Sequence, residues 1–163
     1  MTDTAEMPDR ARNVWLIRHA KAAEAEPGQK DIDRPLTRHG ERQCKAMGEW
    51  LRRRLQGAGV VALVSPAERA RHTAKLALGE WFDGTRNEEP RIWNASAQGL
   101  AELLAEHSGD LLVVGHNPGL EQLQAALSGQ LMPLATGGVF EMEFGAQGRV
   151  RLAHRFQPET DSR

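Results

Sequence analysis

The chain has 163 residues, a formal net charge of -1 and a single cysteine, Cys44. That length suits one domain with a substantial core, and the charge balance argues against binding nucleic acid through a broadly basic surface. One cysteine excludes an internal disulfide and a cysteine-rich zinc cluster, and it favours a reducing compartment.

The opening residues, MTDTAEMPDR, are polar and lack the charged-then-apolar pattern of a secretion signal. No apolar run reaches the roughly 20 residues of a membrane-spanning helix. We therefore expect a monomeric cytoplasmic protein with no membrane and no nucleic-acid partner.

Residues 1–12 have little apolar periodicity and read as a flexible lead. Val14, Trp15, Leu16 and Ile17 then make an apolar run suited to a buried strand, which ends in Arg18-His19. The following stretch to Pro35 is broken by Pro27 and Gly28 and reads mostly as loop. Thr37 caps a helix over 38–55, on which Cys44, Met47, Leu51 and Leu55 recur at helical spacing. This places Cys44 on a buried face. Gly57 and Gly59 end the helix, and Val60 to Val64 form a second strand.

Ser65-Pro66-Ala67-Glu68 has the form of a capping box: Ser65 as cap, Pro66 in the first turn, Glu68 reaching back. Arg69 and Thr73 share a face of the helix that follows. From Gly79 to Pro90 the pattern is irregular, with Ile92 and Trp93 as a short buried segment. Ser96 caps a helix carrying Leu100, Leu103 and Leu104. Leu111 to Val114 form the third strong strand, ending at Gly115-His116, and Asn117 caps the next helix with Pro118 in its first position.

Beyond the helix of Leu123 and Leu127, Phe140, Met142 and Phe144 alternate with Glu141 and Glu143. Val150, Leu152 and Phe156 alternate with Arg149, Arg151 and Arg155. These make a hairpin around Gly145 to Gly148, its glutamates and arginines opposed on the outer face. Residues 157–163 read as a flexible tail. The order of elements predicts an α/β fold over 13–156, a three-layer sandwich with a mostly parallel mixed sheet flanked by helices.

Three strand ends thus offer Arg18 with His19, Arg69, and His116. In such sheets the carboxyl ends of the strands border the ligand crevice. Arginines grip oxyanions, an unprotonated imidazole is a nucleophile, and a protonated one stabilises developing negative charge. Two arginines suit an anion better than a metal ion, and neither GxGxxG nor GxxxxGK is present. We expect no metal and no cofactor. Glu88 and Glu89 read as solvent-facing, and His39, His72, His107 and His154 as structural or exposed.

Arg18-His19-Ala20, SPAERARHT from Ser65 to Thr73 and GHNPG from Gly115 to Gly119 together resemble the histidine phosphatase superfamily. DRPLTRHG from Asp33 to Gly40 and ASAQGLAELL from Ala95 to Leu104 are similar to its SixA-type phosphohistidine phosphatase branch. The resemblance implies that His19 is the nucleophile that becomes phosphorylated, that Arg18 and Arg69 bind the phosphate, and that His116 contacts its oxygens. Asp33 and Arg34 are candidates to line the pocket or to anchor the loop to its helix.

Asn94 stands where many larger relatives carry a glutamate proton donor, and the SixA-type branch often lacks a clear equivalent. An imidazole leaving group needs less protonation than an alkoxide. The resemblance therefore implies hydrolysis of a P-N bond in a phosphohistidine-bearing protein or small phosphorylated substrate. The alternatives are a small-molecule phosphomonoester phosphatase and a noncatalytic phosphoprotein-binding module. A mutase is disfavoured because the short chain lacks that branch's large insertions.

Overall fold

The computed structural model describes residues 11–55 and 59–159. Among these, six strands form one sheet: β1 (Arg12–Arg18), β2 (Val61–Val64), β3 (Thr85–Glu88), β4 (Leu111–Gly115), β5 (Val139–Phe144) and β6 (Val150–Phe156), in the order β3-β2-β4-β1-β5-β6. The first four of that order run parallel, while β5 lies antiparallel to β1 and β6 antiparallel to β5.

Side chains alternate across a strand, so each central strand feeds two cores. Trp15 and Ile17 of β1, with Leu112 and Val114 of β4, pack under α1 (Arg38–Arg54) and α2 (Glu68–Leu78). Val14 and Leu16, with Leu111 and Val113, pack under α3 (Ala97–Ala105) and α4 (Gly119–Ser128). The unbroken apolar runs of β1 and β4 are those of strands covered on both faces. The result is the expected three-layer α/β sandwich.

Local chemistry starts α1 and α3 as expected. Thr37 Oγ1 accepts from Gly40 N at 2.9 Å, and Ser96 Oγ accepts from Gly99 N at 3.0 Å. Cys44 is fully buried, and burial pushes its thiol up to about 11. Gly57 lies outside the described residues, as do residues 1–10 and 160–163 of the expected lead and tail.

Several details differ from expectation. β1 begins at Arg12, whose guanidinium donates to the carbonyls of Leu104, His107 and Gly109; a polar strand start carries no apolar signal. The segment read as irregular contains β3, an exposed edge strand of sequence TRNE, paired to β2 through backbone alone. Pro158, within the stretch read as tail, is buried. Glu141 is no outer-face residue: it accepts from Trp15 Nε1 at 2.9 Å and from Arg54 Nε at 2.5 Å beneath α1. Of the opposed hairpin charges, Arg151 does meet Glu143, at 2.6 Å.

Helix α2 begins at Glu68, with Ala67 in the capping position and no side-chain cap. Ser65 is therefore not its N-cap, and the capping-box reading fails. The sheet explains the shift: Ser65 N still donates to Val114 O, so the chain remains in the ladder one residue beyond β2. Helix α4 likewise starts one residue later than expected, at Gly119, although Asn117 Oδ1 still accepts from Glu121 N at 3.2 Å.

Candidate active site

Parallel pairing brings the carboxyl ends of β1, β2 and β4 to one edge of the sheet. Arg18 is the register partner of Gly115, and His19 N donates to Gly115 O at 3.1 Å, extending that ladder by one step. His19 and His116 consequently leave adjacent strands side by side, with ring centroids 5.2 Å apart. Arg69, on the first turn of α2, and Arg18 line the same cleft of about 590 Å³.

The flanking motif residues hold these groups in place. Thr73 Oγ1 accepts from Ala20 N at 2.9 Å and donates to Arg69 O at 2.7 Å, tying the end of β1 to α2. Gly137, at φ 76°, donates its N–H to the carbonyls of Arg18 and His19. Gly119 has a packing reason: a Cβ there would lie 2.5 Å from Ala95 O, so only glycine lets α4 start against the segment carrying Trp93 and Asn94.

His19 is 9% exposed, and its Nδ1–H donates to Ala20 O at 2.8 Å. A carbonyl only accepts, so the neutral ring carries its proton on Nδ1 and keeps a bare lone pair on Nε2. Burial, followed by the positive fields of His116, Arg69 and Arg18, lowers its pKa to about 3, against a backbone hydrogen bond that raises it. His116 falls to about 4, chiefly through burial and then Arg69. Both rings are uncharged near neutrality in the free pocket.

Arg18 Nη1 donates to Leu134 O at 2.9 Å, while its Nε is buried without a partner. Among the described residues, His116 Nδ1 is the other buried side-chain polar atom in that condition. Arg18 Nε is thus a donor still without an acceptor, in a cleft that Arg69 also lines. Arg69 donates to Asp31 O at 2.7 Å and to Asp31 Oδ2 at 3.2 Å, and its guanidinium lies 5.4 Å from the Trp93 ring. The Trp93 ring in turn stands edge-on to His116 at 5.3 Å.

The fold thus gathers Arg18, His19, Arg69 and His116 around one cleft. Arg34 lines it as well, with Nη1 on Asp31 Oδ1 at 2.9 Å. Asp33 is exposed and is not among the lining residues, and neither are Glu88 and Glu89. Sequence reasoning missed Asp31, two positions before the acid it singled out. It read Ser65 only as a cap, and gave Trp93 and Thr136 no place in the cleft. For Trp93 and Asn94 the signal was adjacency to the expected acid position; for Thr136, on a loop after α4, there was none. No group of three or more His, Cys, Asp or Glu among the described residues is placed to hold a metal ion.

Comparison with known proteins bears on the fold and the family. Residues 14–91 match the family described as Histidine phosphatase superfamily (branch 1). An uncharacterized protein of Picosynechococcus is 30% identical over 161 residues, covering 91% of each chain. Among solved structures, SixA from Agrobacterium tumefaciens superposes with a TM-score of 0.81 at 26% identity, over 90% of this chain and 98% of that one. The protein histidine phosphatase SixA complexed with tungstate gives 0.73 at 25% identity, over 90% and 97%.

The chain belongs to the histidine phosphatase superfamily. Within it, the chain is an enzyme of the phosphatase class, a hydrolase, whose fold is shared with the SixA proteins. No helix among the described residues is long and apolar enough to cross a membrane.

Proposed function

We propose that this protein is a metal-independent phosphohistidine phosphatase working through a phospho-His19 intermediate. The observation that carries the reading is the His19 ring itself: one nitrogen tied to Ala20 O and the other left as a lone pair in a cleft lined by Arg18, Arg69 and His116. In the first step His19 Nε2 attacks phosphorus and the bond to the leaving group breaks. Arg18 and Arg69 neutralise the nonbridging oxygens, with His116 as a further contact. Water then cleaves the P-N bond of phospho-His19, releasing phosphate and restoring the free imidazole.

The choice of a P-N substrate is supported by the carboxylates of the cleft. Among the described lining residues the one acid is Asp31, and hydrogen bonding to Arg34, with Arg69 adding its charge, holds it below the usual carboxylate range. An ionised acid cannot protonate a departing alkoxide. A phosphorylated imidazole leaves with little such help, and the likeness to SixA points the same way. Asp33 has no part in binding on this reading, whereas Arg34 acts by holding Asp31.

Incubation with a phosphohistidine protein or phosphoramidate, without added metal, is expected to give an acid-labile phosphoenzyme at His19. His19→Ala is expected to lower turnover by about 10⁴-fold or more. Unchanged turnover in that variant would sink the mechanism. Phosphomonoesters assayed in parallel test the leaving group, and equal or better turnover of them would replace the P-N reading with a phosphomonoesterase.

A further inference from the structure

Ser65 is fully buried immediately after β2 and touches the site without a role in the chemistry above. Its Oγ accepts from Ala67 N at 3.2 Å and lies 2.8 Å from His116 Nε2. We propose that Ser65 is a positioning residue that donates its hydroxyl proton to His116 Nε2, and so fixes His116 with its own proton on Nδ1. The inference rests on reading the cleft as an oxyanion site.

A serine hydroxyl has one proton and two acceptor lone pairs. The Ala67 N–H occupies one lone pair, so the hydroxyl can meet His116 Nε2 with its proton or with its second lone pair. A neutral imidazole whose Nε2 accepts must carry hydrogen on Nδ1, and that is the His116 nitrogen which is buried without a partner. It becomes a donor without a partner in the chain, as Arg18 Nε is.

The opposite assignment fails twice. With hydrogen on Nε2, the Ser65 proton would have no acceptor among its described contacts. The bare Nδ1 would then repel the oxyanion that Arg18 and Arg69 attract. The Trp93 ring packs nearly perpendicular to His116, with centroids 5.3 Å apart.

The two histidines thus share one tautomer, fixed from opposite ring nitrogens: Nδ1 of His19 by Ala20 O, and Nε2 of His116 by Ser65 Oγ. Ala20 O, an acceptor, frees the Nε2 lone pair of His19 for attack. The Ser65 hydroxyl, a donor, leaves His116 with a proton to offer. Partners that orient a reactive imidazole act in this second tier, where an error of tautomer disables a ring whose position is unchanged.

The test is ¹⁵N-histidine NMR of the intact free protein at neutral pH, with His116 assigned by the signals lost in His116→Gln. The expected spectrum has His116 protonated at Nδ1 and bare at Nε2. Ser65→Ala is expected to populate the other tautomer and to lower kcat/KM for phosphoramidate roughly tenfold or more, short of the about 10²–10³ lost with an oxyanion donor. Ser65→Thr, which keeps the hydroxyl, is expected to restore the tautomer.

A wild-type His116 protonated at Nε2 overturns the proposal, as does a Ser65→Ala protein whose His116 tautomer is unchanged. If Ser65→Ala does not fold, the wild-type spectrum decides alone. Failure of the phosphatase reading would appear separately, as absence of phosphate on His19.

Discussion

Two half-buried arginines, one closing a helix and one closing a strand, meet opposite fates. Arg54, at the end of α1, donates Nε and Nη2 to both oxygens of Glu141, at 2.5 and 3.1 Å, and stacks over Trp50 at 5.1 Å. Arg18, at the end of β1, makes one described bond, to a backbone carbonyl, and leaves Nε without a partner. Arg54 is satisfied by the fold. Arg18 is held by the fold in want of something the chain does not supply, and burial lowers its pKa as a mark of that cost. The difference separates charge that maintains structure from charge kept for a ligand.

The widest separation is expected from Arg18→Met. Turnover of phosphoramidate should fall by about 10²–10³. Thermal stability should hold or rise, because a buried donor without a partner is removed and an apolar stem is retained. A large loss of Tm in this variant would break the comparison.

Arg54→Ala should do the reverse, costing about 3 kcal/mol in denaturant unfolding while leaving the affinity for inorganic phosphate unchanged. The cost arises because Glu141, with a side chain 9% exposed, would lose its counter-charge. Glu141→Gln keeps an acceptor for Trp15 and leaves Arg54, 32% exposed, free to reach water, so a loss of about 1 kcal/mol is expected there.

The smallest effect per step is in the pH dependence of the free protein. His19 and His116 titrate at about 3 and about 4 when folded, against 6.5 for an ordinary histidine. Between those values the unfolded chain binds more protons, so stability falls as pH drops below 6.5, by roughly 1 kcal/mol per pH step for each ring. Urea unfolding at pH 6, 5.5 and 5 should follow this slope, and His116→Gln should reduce it by about half.

How much of this was legible in the sequence depended on which force set each feature. The apolar runs of β1, β2 and β4 and the caps Thr37 and Ser96 are local signals, and they located three strand ends and two helices. That Arg18, His19, Arg69 and His116 would meet followed from those ends together with the rule for parallel sheets. β3 was illegible because an exposed edge strand is held by backbone bonds and leaves no alternation in its side chains.

Ser65 was misread for a more instructive reason. Its local context fits a helix cap, but continued pairing with β4 keeps it in the sheet and delivers its hydroxyl to His116. Asp31 is known as a pocket residue only through contacts across 38 positions of chain to Arg69. Glu141 sits at an outward-looking position of an alternating strand, and only the arrival of α1 above it turns that face inward.

The register between β1 and β4 has one further meaning. Because Arg18 pairs with Gly115 and the next amide continues the ladder, the spacing of His19 and His116 is set by the innermost backbone bonds of the sheet. Such bonds open only with the molecule as a whole. The alignment of the two histidines is therefore expected to last on heating as long as the fold does, and hydrogen exchange at the His19 amide, slow to the level of global unfolding, is the measurement that checks it.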